Sequence, residues 1–482
     1  MSLLVSSRSS ANASFMPQSR SSFILLTGIY AGIVFALVAM NLAVHGFNGD
    51  VLSNLTIGRW ILAHGRIPGH NHWTQAMAGR PFSDTEWLFG VGVAWAYQWG
   101  GRLGVYAIIL PFMAIVASFI GYWAAQVGSW RGWMVALVAA INFMIVASPR
   151  PQWVSYAAFA LGLWAIQRAR QNHWLPLGIF LAVIPLWANT HASVVLAPAL
   201  LVNETLWSPG RIRWRWAGAT VLAALLTLVR WGGAATGSLF FSHVFTPGIL
   251  NVIQEWRSPD FHTVTAFVLL PTILAAWSVL LPWAWRAKRS AVVLWVLLGP
   301  LVTLWAIRFA PYMVLGVVAA LAESGLDRNT ALPPRLIQAV LLTLVVAFNG
   351  LIVWRATQPG FFAREYPVQA VQYLARQHAA GVVTWEQWGN ALNLAGLTPW
   401  VNAQTQLWSR APWWLPFVQA RRGGIATLLP WVHHWDPQAR WILWPLAGYQ
   451  TPQDGLRTPG WRLVYQEPTN LGIVGVWHRQ GS

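Results

Sequence analysis

The stretch FILLTGIYAGIVFALVAMNLAVH, residues 23–45, carries no Asp, Glu, Lys or Arg over 23 positions. A helix needs about 20 predominantly apolar residues to cross the hydrocarbon core of a bilayer, and a helix that is apolar all round must be buried or solvated by lipid. Similar runs recur outward from it. They are Glu86–Trp99, Val105–Val127, Trp133–Ala147, Val154–Ile166, Leu175–Trp187, Ser193–Leu206, Ala217–Val229, Thr263–Trp283, Ala291–Ala306, Phe309–Leu321 and Ile337–Trp354. Several are too short to span comfortably, which reads as tilted, broken or re-entrant helices. Of the whole chain, 56% is hydrophobic and only 9% charged, against about 25% charged in an average soluble domain. Barrel strands would alternate over short segments, and these runs do not. The expected fold class is an α-helical polytopic membrane protein with about 11–13 transmembrane helices.

The net charge of +18 arises from 31 Lys+Arg against 13 Asp+Glu. The cations are scattered among loops, which fits cytoplasmic loops and anionic lipid rather than nucleic acid. The positive-inside rule puts Arg8 and Arg20, the Arg211/Arg213/Arg215 cluster, Arg286–Lys288–Arg289 and Arg328/Arg335 in the cytoplasm. Residues 46–85, residues 232–262 and everything after Arg355 then lie outside. Arg131 also belongs inside, so either Glu86–Trp99 or Val105–Val127 cannot cross, and the shorter first run reads as a partial helix. No small-residue cleavage site follows the first run, which therefore reads as a retained helix in a multi-pass plasma-membrane protein.

The expected division is a cytoplasmic tail (1–22), a transmembrane domain (23–355) with an external loop at 46–85, and an extracytoplasmic α/β domain (356–482). Apolar runs stop near Phe361. Strand-like runs at Gly381–Thr384, Trp441–Trp444 and Leu471–Val476 then alternate with helical stretches such as Val368–Gln377. The absence of Cys excludes disulfides and thiolate metal sites. The 35 Trp exceed ordinary usage, and Trp130, Trp133, Trp153, Trp283 and Trp285 stand beside helix ends, as interfacial belts favour.

Five of the 13 acidic residues fall in the two external loops: Asp50, Asp84 and Glu86 in or beside the first, Glu255 and Asp260 in the second. Between them Val51–Ala63 reads as an amphipathic helix lying at the outer interface. A carboxylate just after the first helix, with others before the second, suits a catalytic pocket at the membrane surface. The plainer alternatives are that Asp50 caps the Val51 helix and that Asp84-Thr85-Glu86 caps the next. His70 and His72, with Asp84 or Glu86, have the chemistry to ligate a divalent metal; solvated loop histidines are the simpler reading. His191, between two apolar runs, reads as an interhelical hydrogen-bonded residue or a pocket member. Arg308 lies between apolar runs, where an ionisable side chain is either functional or snorkelling.

Several segments resemble a known group. The first is Asn48-Gly49-Asp50 … Gly58-Arg59-Trp60-Ile61-Leu62-Ala63-His64-Gly65-Arg66-Ile67-Pro68 … Gly79-Arg80-Pro81-Phe82 … Glu86-Trp87-Leu88. It is joined by Arg150-Pro151-Gln152, Trp187-Ala188-Asn189-Thr190-His191, Glu255-Trp256-Arg257-Ser258-Pro259-Asp260-Phe261, Tyr366-Pro367-Val368 and Trp388-Gly389. Together these resemble bacterial GT-C-type membrane glycosyltransferases, a superfamily that includes protein O-mannosyltransferases and aminoarabinose transferases. The resemblance implies a polyprenyl-phosphate-linked sugar as donor and a glycan, lipid or protein acceptor. It also implies a catalytic acid in the first external loop, at the position of Asp50, with Glu86 where related lipid A transferases carry a second acid. Val51-Leu52-Ser53-Asn54 replaces the usual aromatic and His residues, His191-Ala192 replaces His-Gly, and the Trp-Trp-Asp signature is missing.

Such a transfer needs a base for the acceptor hydroxyl and cations for the leaving phosphate. Asp50 is the candidate base, which burial beside apolar neighbours would make stronger. Arg59, Arg80, Arg150, Arg257 and Arg308 are candidates for the phosphate, with headgroup contact as the plainer role of the loop arginines. The competing functions are a carrier of lipid-linked or small polar substrates, and an inactive scaffold of the same fold.

Overall fold

The computed structural model describes residues 20–45, 47, 49–144, 148–233, 254–263, 269–286, 290–324, 366–404, 408, 411–421, 424–446, 459–469 and 472–481. The first run forms α1 (Arg20–His45), and the amphipathic stretch forms α2 (Gly49–His64). Then comes α3 (Trp87–Val127), which is one helix only in name. Gly101 has φ 54° and ψ −133°, a conformation that glycine tolerates and that ends the helix. A Cβ on Gly92 would touch the Ile108 side chain, and one on Gly104 would clash with the Ala96 carbonyl. Residues 16 apart would sit about 24 Å apart in a straight helix, so the two halves fold back on one another. The Val105–Val127 half runs antiparallel to α1: Phe47 packs on Tyr106 and Phe23 on Tyr122, with ring centroids 5.7 and 5.8 Å apart. The two helices touch backbone to backbone at Gly121, where a Cβ would lie 2.6 Å from Ala31 N and Thr27 O. The 87–100 half instead packs on α2 beside the first loop.

The bundle continues through α4 (Ser129–Met144), α5 (Gln152–Arg170), α6 (Leu175–Thr190), α7 (Leu196–Trp207) and α8 (Ile212–Leu226). After the second loop, α9 (Leu270–Leu274) passes through a π-helical turn, Ala275–Leu280, into α10 (Leu281–Arg286); α11 (Ser290–Trp305) and α12 (Ala310–Ser324) complete it. The expected span Ile337–Trp354 lies outside the described residues. Among those described, three helices are long and apolar enough to cross a membrane by length and composition: Ser21–Ala39, Trp87–Val127 and Ile307–Ser324. Four further apolar helices are shorter.

The far ends of α5, α7 and α12 meet at one guanidinium. Arg170 gives Nε and Nη2 to Glu204 at 2.8 and 2.5 Å, and Nη1 to Glu323 at 3.0 Å. Exposed Trp207, Trp214 and Trp285 mark the helix ends on this side, while exposed Trp95, Trp99, Trp231 and Trp305 mark the other, the placement that interfacial indoles favour. Trp153, expected in a belt, is fully buried instead; it stacks on Phe143 and donates to the Ser148 carbonyl.

The C-terminal part forms the expected α/β domain: α13 (Val368–Arg376), β1 (Val382–Thr384), α14 (Glu386–Leu394), α15 (Trp414–Ala420), α16 (Ile425–Trp435), β2 (Trp441–Pro445), β3 (Trp461–Thr469) and β4 (Gly472–Arg479). Sheet order is β1-β2-β4-β3, with β1 and β2 parallel and the other pairs antiparallel. Strand β3 was not legible in the sequence, because Arg462, Gln466, Glu467 and Pro468 interrupt its apolar pattern. Eight buried tryptophans (Trp400, Trp408, Trp413, Trp414, Trp431, Trp444, Trp461 and Trp477) fill a core of their own, and this accounts for much of the Trp excess.

The domain is docked onto the first loop. Asn390 donates to the Gly49 carbonyl at 2.6 Å and Asn393 to the Trp73 carbonyl at 2.7 Å, while Gln75 and Ala76 N–H groups donate to Pro399 and Trp400. Helix α2 is therefore clasped between the 87–100 half of α3 and α14.

Candidate active site

Six segments converge at the end of the bundle opposite Arg170: the start of α2, the N-terminus of α3, the turn before α5, the α6–α7 junction, and the two short 3-10 turns Gln254–Trp256 and Ile307–Phe309. Asp50 sits in the first turn of α2, which the Asn390 bond to Gly49 pins. Its carboxylate meets Arg150 Nε at 3.1 Å, and Arg150 is also ion-paired with Glu255. One guanidinium thus joins two carboxylates from distant loops. Asp50 keeps 43% of its side chain exposed. The burial that would sharpen a base lies elsewhere.

It lies at Glu86, the residue preceding α3. Its Oε2 accepts from Asn54 Nδ2 at 3.1 Å, and the same amide donates to the Asp50 carbonyl at 3.0 Å, so one side chain of α2 ties the two acidic positions together. Asp84 Oδ1 accepts the Glu86 N–H at 2.8 Å, a local turn that sets the entry into α3. Burial raises the Asp84 carboxyl to about 6 against the pull of that N–H. Glu86 is raised further, to about 8, by burial first and then by the Asp84 and Asp50 charges; Asn54 and Arg308 offset part of this. About a quarter of its side chain, 26%, remains open, yet it stands deep among these groups. At neutral pH, Glu86 is therefore mostly a neutral carboxylic acid.

Arg308 packs its guanidinium over Trp256 at 4.2 Å, and its field reaches Glu86, Tyr156 and Tyr312. His191 presents Nε2 to Glu86 Oε1 at 3.8 Å. Trp87, next to Glu86, donates to Asn189 Oδ1 at 2.9 Å, and Asn189 in turn holds the Val229 carbonyl and the Trp231 N–H. Asp50, Asp84, Glu86, Arg150, Glu255, His191 and Arg308 are thus brought together.

Other expected residues are not. Arg59 is exposed and lies over the Tyr97 ring at 5.0 Å, and Arg80 is exposed on the loop. Arg257 is exposed, and its backbone carbonyl accepts from Ile307. Asp260 faces solvent and holds His262 at 3.0 Å. His70 and His72 are exposed, and His72 stacks on Trp60. Neither histidine joins Asp84 or Glu86: among the described residues no three His, Asp or Glu side chains are grouped to hold a metal ion. Asn54, Asn189, Ser155, Ser193 and Tyr312 were missed, although Asn54 stands four residues from Asp50 and Tyr312 four from Arg308, spacings that share a helix face.

No protein-family model and no curated protein matches the sequence. Solved structures do. The apo oligosaccharyltransferase of the archaeon Archaeoglobus fulgidus superposes over 86% of this chain and 69% of its own, with a TM-score of 0.52 at 13% identity. The same enzyme crystallised with Zn and sulfate gives 0.51 at 15% identity, over 86% and 67%. The chain shares the oligosaccharyltransferase fold. That likeness is one of fold, a helical bundle followed by a small sheet-containing C-terminal part.

Proposed function

We propose that the protein is an integral membrane glycosyltransferase that moves a sugar from a polyprenyl phosphate to an acceptor hydroxyl on the extracytoplasmic face of the plasma membrane. The observation that carries this reading is the meeting of the Asp50 and Glu86 carboxyls with Arg150 and Arg308, at one end of a bundle with the oligosaccharyltransferase fold. Twelve apolar runs less the partial helix at 86–99 leave eleven crossings, an odd number that takes the chain from a cytoplasmic tail to an external C-terminal domain. The Arg170 cluster supports the same polarity: the 19 residues of α5 separate it from Arg150 by about 28 Å, close to a hydrocarbon thickness.

In this reading Asp50 takes the proton of the acceptor hydroxyl as the acceptor oxygen attacks the anomeric carbon. The bond between that carbon and the phosphate oxygen breaks, and the phosphate leaves with the electron pair. Arg150 and Arg308 hold it by charge-assisted hydrogen bonds. An incoming phosphate competes with Asp50 for Arg150, which frees the carboxylate at the moment a base is required. Glu86, protonated at neutral pH, adds a hydrogen-bond donor without a negative charge that would repel the phosphate.

The test is turnover of a panel of polyprenyl-phosphate sugars by protein purified with native lipid, wild type against Asp50→Asn. A loss of about a hundredfold or more is expected for removal of a general base. Equal turnover would take Asp50 out of the mechanism and leave Glu86 or Asp84 as the base. Movement of intact donor across vesicles without sugar transfer would favour a carrier instead.

A further inference from the structure

His191 breaks the chain between α6 and α7 with an extended backbone, and its own ring caps the 3-10 turn Ala192–Val195: Nδ1 accepts the Ser193 N–H at 3.3 Å. A backbone N–H can only donate, so Nδ1 carries a lone pair. Two hydroxyls crowd the same nitrogen, Ser193 Oγ at 2.7 Å and Ser155 Oγ at 2.9 Å. Each of those oxygens also accepts from Trp187 Nε1, at 3.2 and 2.9 Å, and Ser193 Oγ accepts the Tyr312 hydroxyl at 2.9 Å. A hydroxyl has one proton and two lone pairs. With both lone pairs of Ser193 engaged, its proton goes to His191. An unprotonated Nδ1 in a neutral imidazole leaves the ring proton on Nε2. That N–H faces Glu86 Oε1 across 3.8 Å, too far for a direct hydrogen bond, with Arg308 acting on the same ring.

We propose that His191 is a permanently neutral oxyanion donor, whose Nε2–H is held in place by Ser155, Ser193, Trp187 and Tyr312 and binds a phosphate oxygen entering between Glu86 and Arg308. Only the identity of that phosphate, the donor lipid's own, rests on the glycosyltransferase reading; the tautomer rests on bonds within the chain. A neutral donor needs no proton to move during the reaction, and its bond strengthens as negative charge collects on the leaving phosphate. Ser155, Ser193 and Tyr312 then act as positioning residues through the ring.

The experiment is nitrogen NMR of the full-length, 15N-histidine-labelled protein in nanodiscs, with the His191 signals assigned by difference from His191→Gln. The charged and titratable groups facing the ring are Glu86 and Arg308, with Tyr312 one hydroxyl away. The expected result is an unprotonated Nδ1 and protonated Nε2 that do not change between about pH 5 and 8, the range in which an unperturbed imidazole changes charge. In the Ser155→Ala/Ser193→Ala double variant a titration should enter that range. A wild-type His191 that titrates there, or that carries its proton on Nδ1, would overturn the inference.

In a second arm, geranyl phosphate is added to phosphatidylcholine nanodiscs. It should shift the Nε2–H resonance, and Arg308→Gln should abolish the response. An equal shift from phosphatidylglycerol alone would assign the site to an ordinary headgroup and overturn the donor-lipid source, and no shift from either would overturn the oxyanion role. A preserved tautomer and phosphate response with no sugar turnover would sink the catalytic reading while leaving this one standing.

Discussion

Replacing Glu86 by Gln should make the protein more stable at alkaline pH and leave it unchanged in acid. Folding raises the Glu86 carboxyl from its ordinary 4.5 to about 8. Below about pH 4.5 both folded and unfolded forms carry the proton, and no difference arises. Between about 4.5 and 8 the unfolded chain releases it while the folded protein keeps it, so stability falls as pH rises, by about 1.4 kcal/mol per pH unit. Above about 8 the loss levels off. The full gap from 4.5 to about 8 sets a ceiling of about 5 kcal/mol. The open quarter of the side chain and the shared effects of Asp84 and Asp50 reduce this, and we expect about 2–3 kcal/mol. Glutamine stays neutral and still accepts from Asn54, so the difference between the two proteins isolates the ionisation. The assay is thermal and denaturant unfolding in mixed micelles at intervals from about pH 5 to 9. A constant gap between the two proteins, or one that is widest at pH 5, would refute the argument that Glu86 is held as a neutral acid.

Other perturbations test the frame around the site. Arg170→Ala strands the Glu204 and Glu323 carboxylates at the far ends of α7 and α12 and should cost about 3–5 kcal/mol; adding Glu204→Gln and Glu323→Gln should recover part of it in the same unfolding assay. Gly58→Leu forces a side chain where even a Cβ would collide with the Gly90 carbonyl, so α2 and α3 must part. A stability loss of at least about 1–3 kcal/mol is expected, with turnover lost beyond what the unfolded fraction explains, because Asp50 and Glu86 ride on those two helices. Asn390→Ala removes the bond that holds the Gly49 carbonyl; turnover should drop about tenfold or more while the fold survives, read from activity and circular dichroism together.

The bundle was legible because lipid solvation demands long apolar runs, and α1, α4, α6, α11 and α12 fall on the runs expected. Less was visible where the answer depends on a single backbone conformation. The sequence separates Glu86–Trp99 from Val105–Val127, but that the second folds back along α1 while Trp87–Gly100 packs on α2 depends on the positive φ at Gly101. At the site, Asp50, Glu86, Arg150 and Arg308 were found as rare charged residues beside apolar runs. Which arginines would meet them was hidden: Arg59 and Arg80 lie in the same loop as Asp50 yet face away, while Arg150, a hundred positions on, makes the contact. The bonds around His191 were invisible for a different reason. Serine, tyrosine and tryptophan are common in apolar helices, and only their convergence on one ring nitrogen gives them a role.

The packed indoles of the C-terminal core give the protein an optical property. Trp408 and Trp414 lie 3.8 Å apart between ring centroids, Trp400 and Trp413 4.5 Å, and Trp400 and Trp431 4.7 Å, at interplanar angles from 42° to 86°. Chromophores this close and this skewed share their excited states, so the far-ultraviolet dichroism should carry a split band superimposed on the helical signal. Most of the band arises in the sheet domain, since these pairs are closer than the bundle's Trp174 and Trp216, 5.2 Å apart. Its disappearance at a temperature where the helical signal persists would mark the moment the C-terminal domain melts off an intact bundle, and so time the loss of the clasp on α2 without any label.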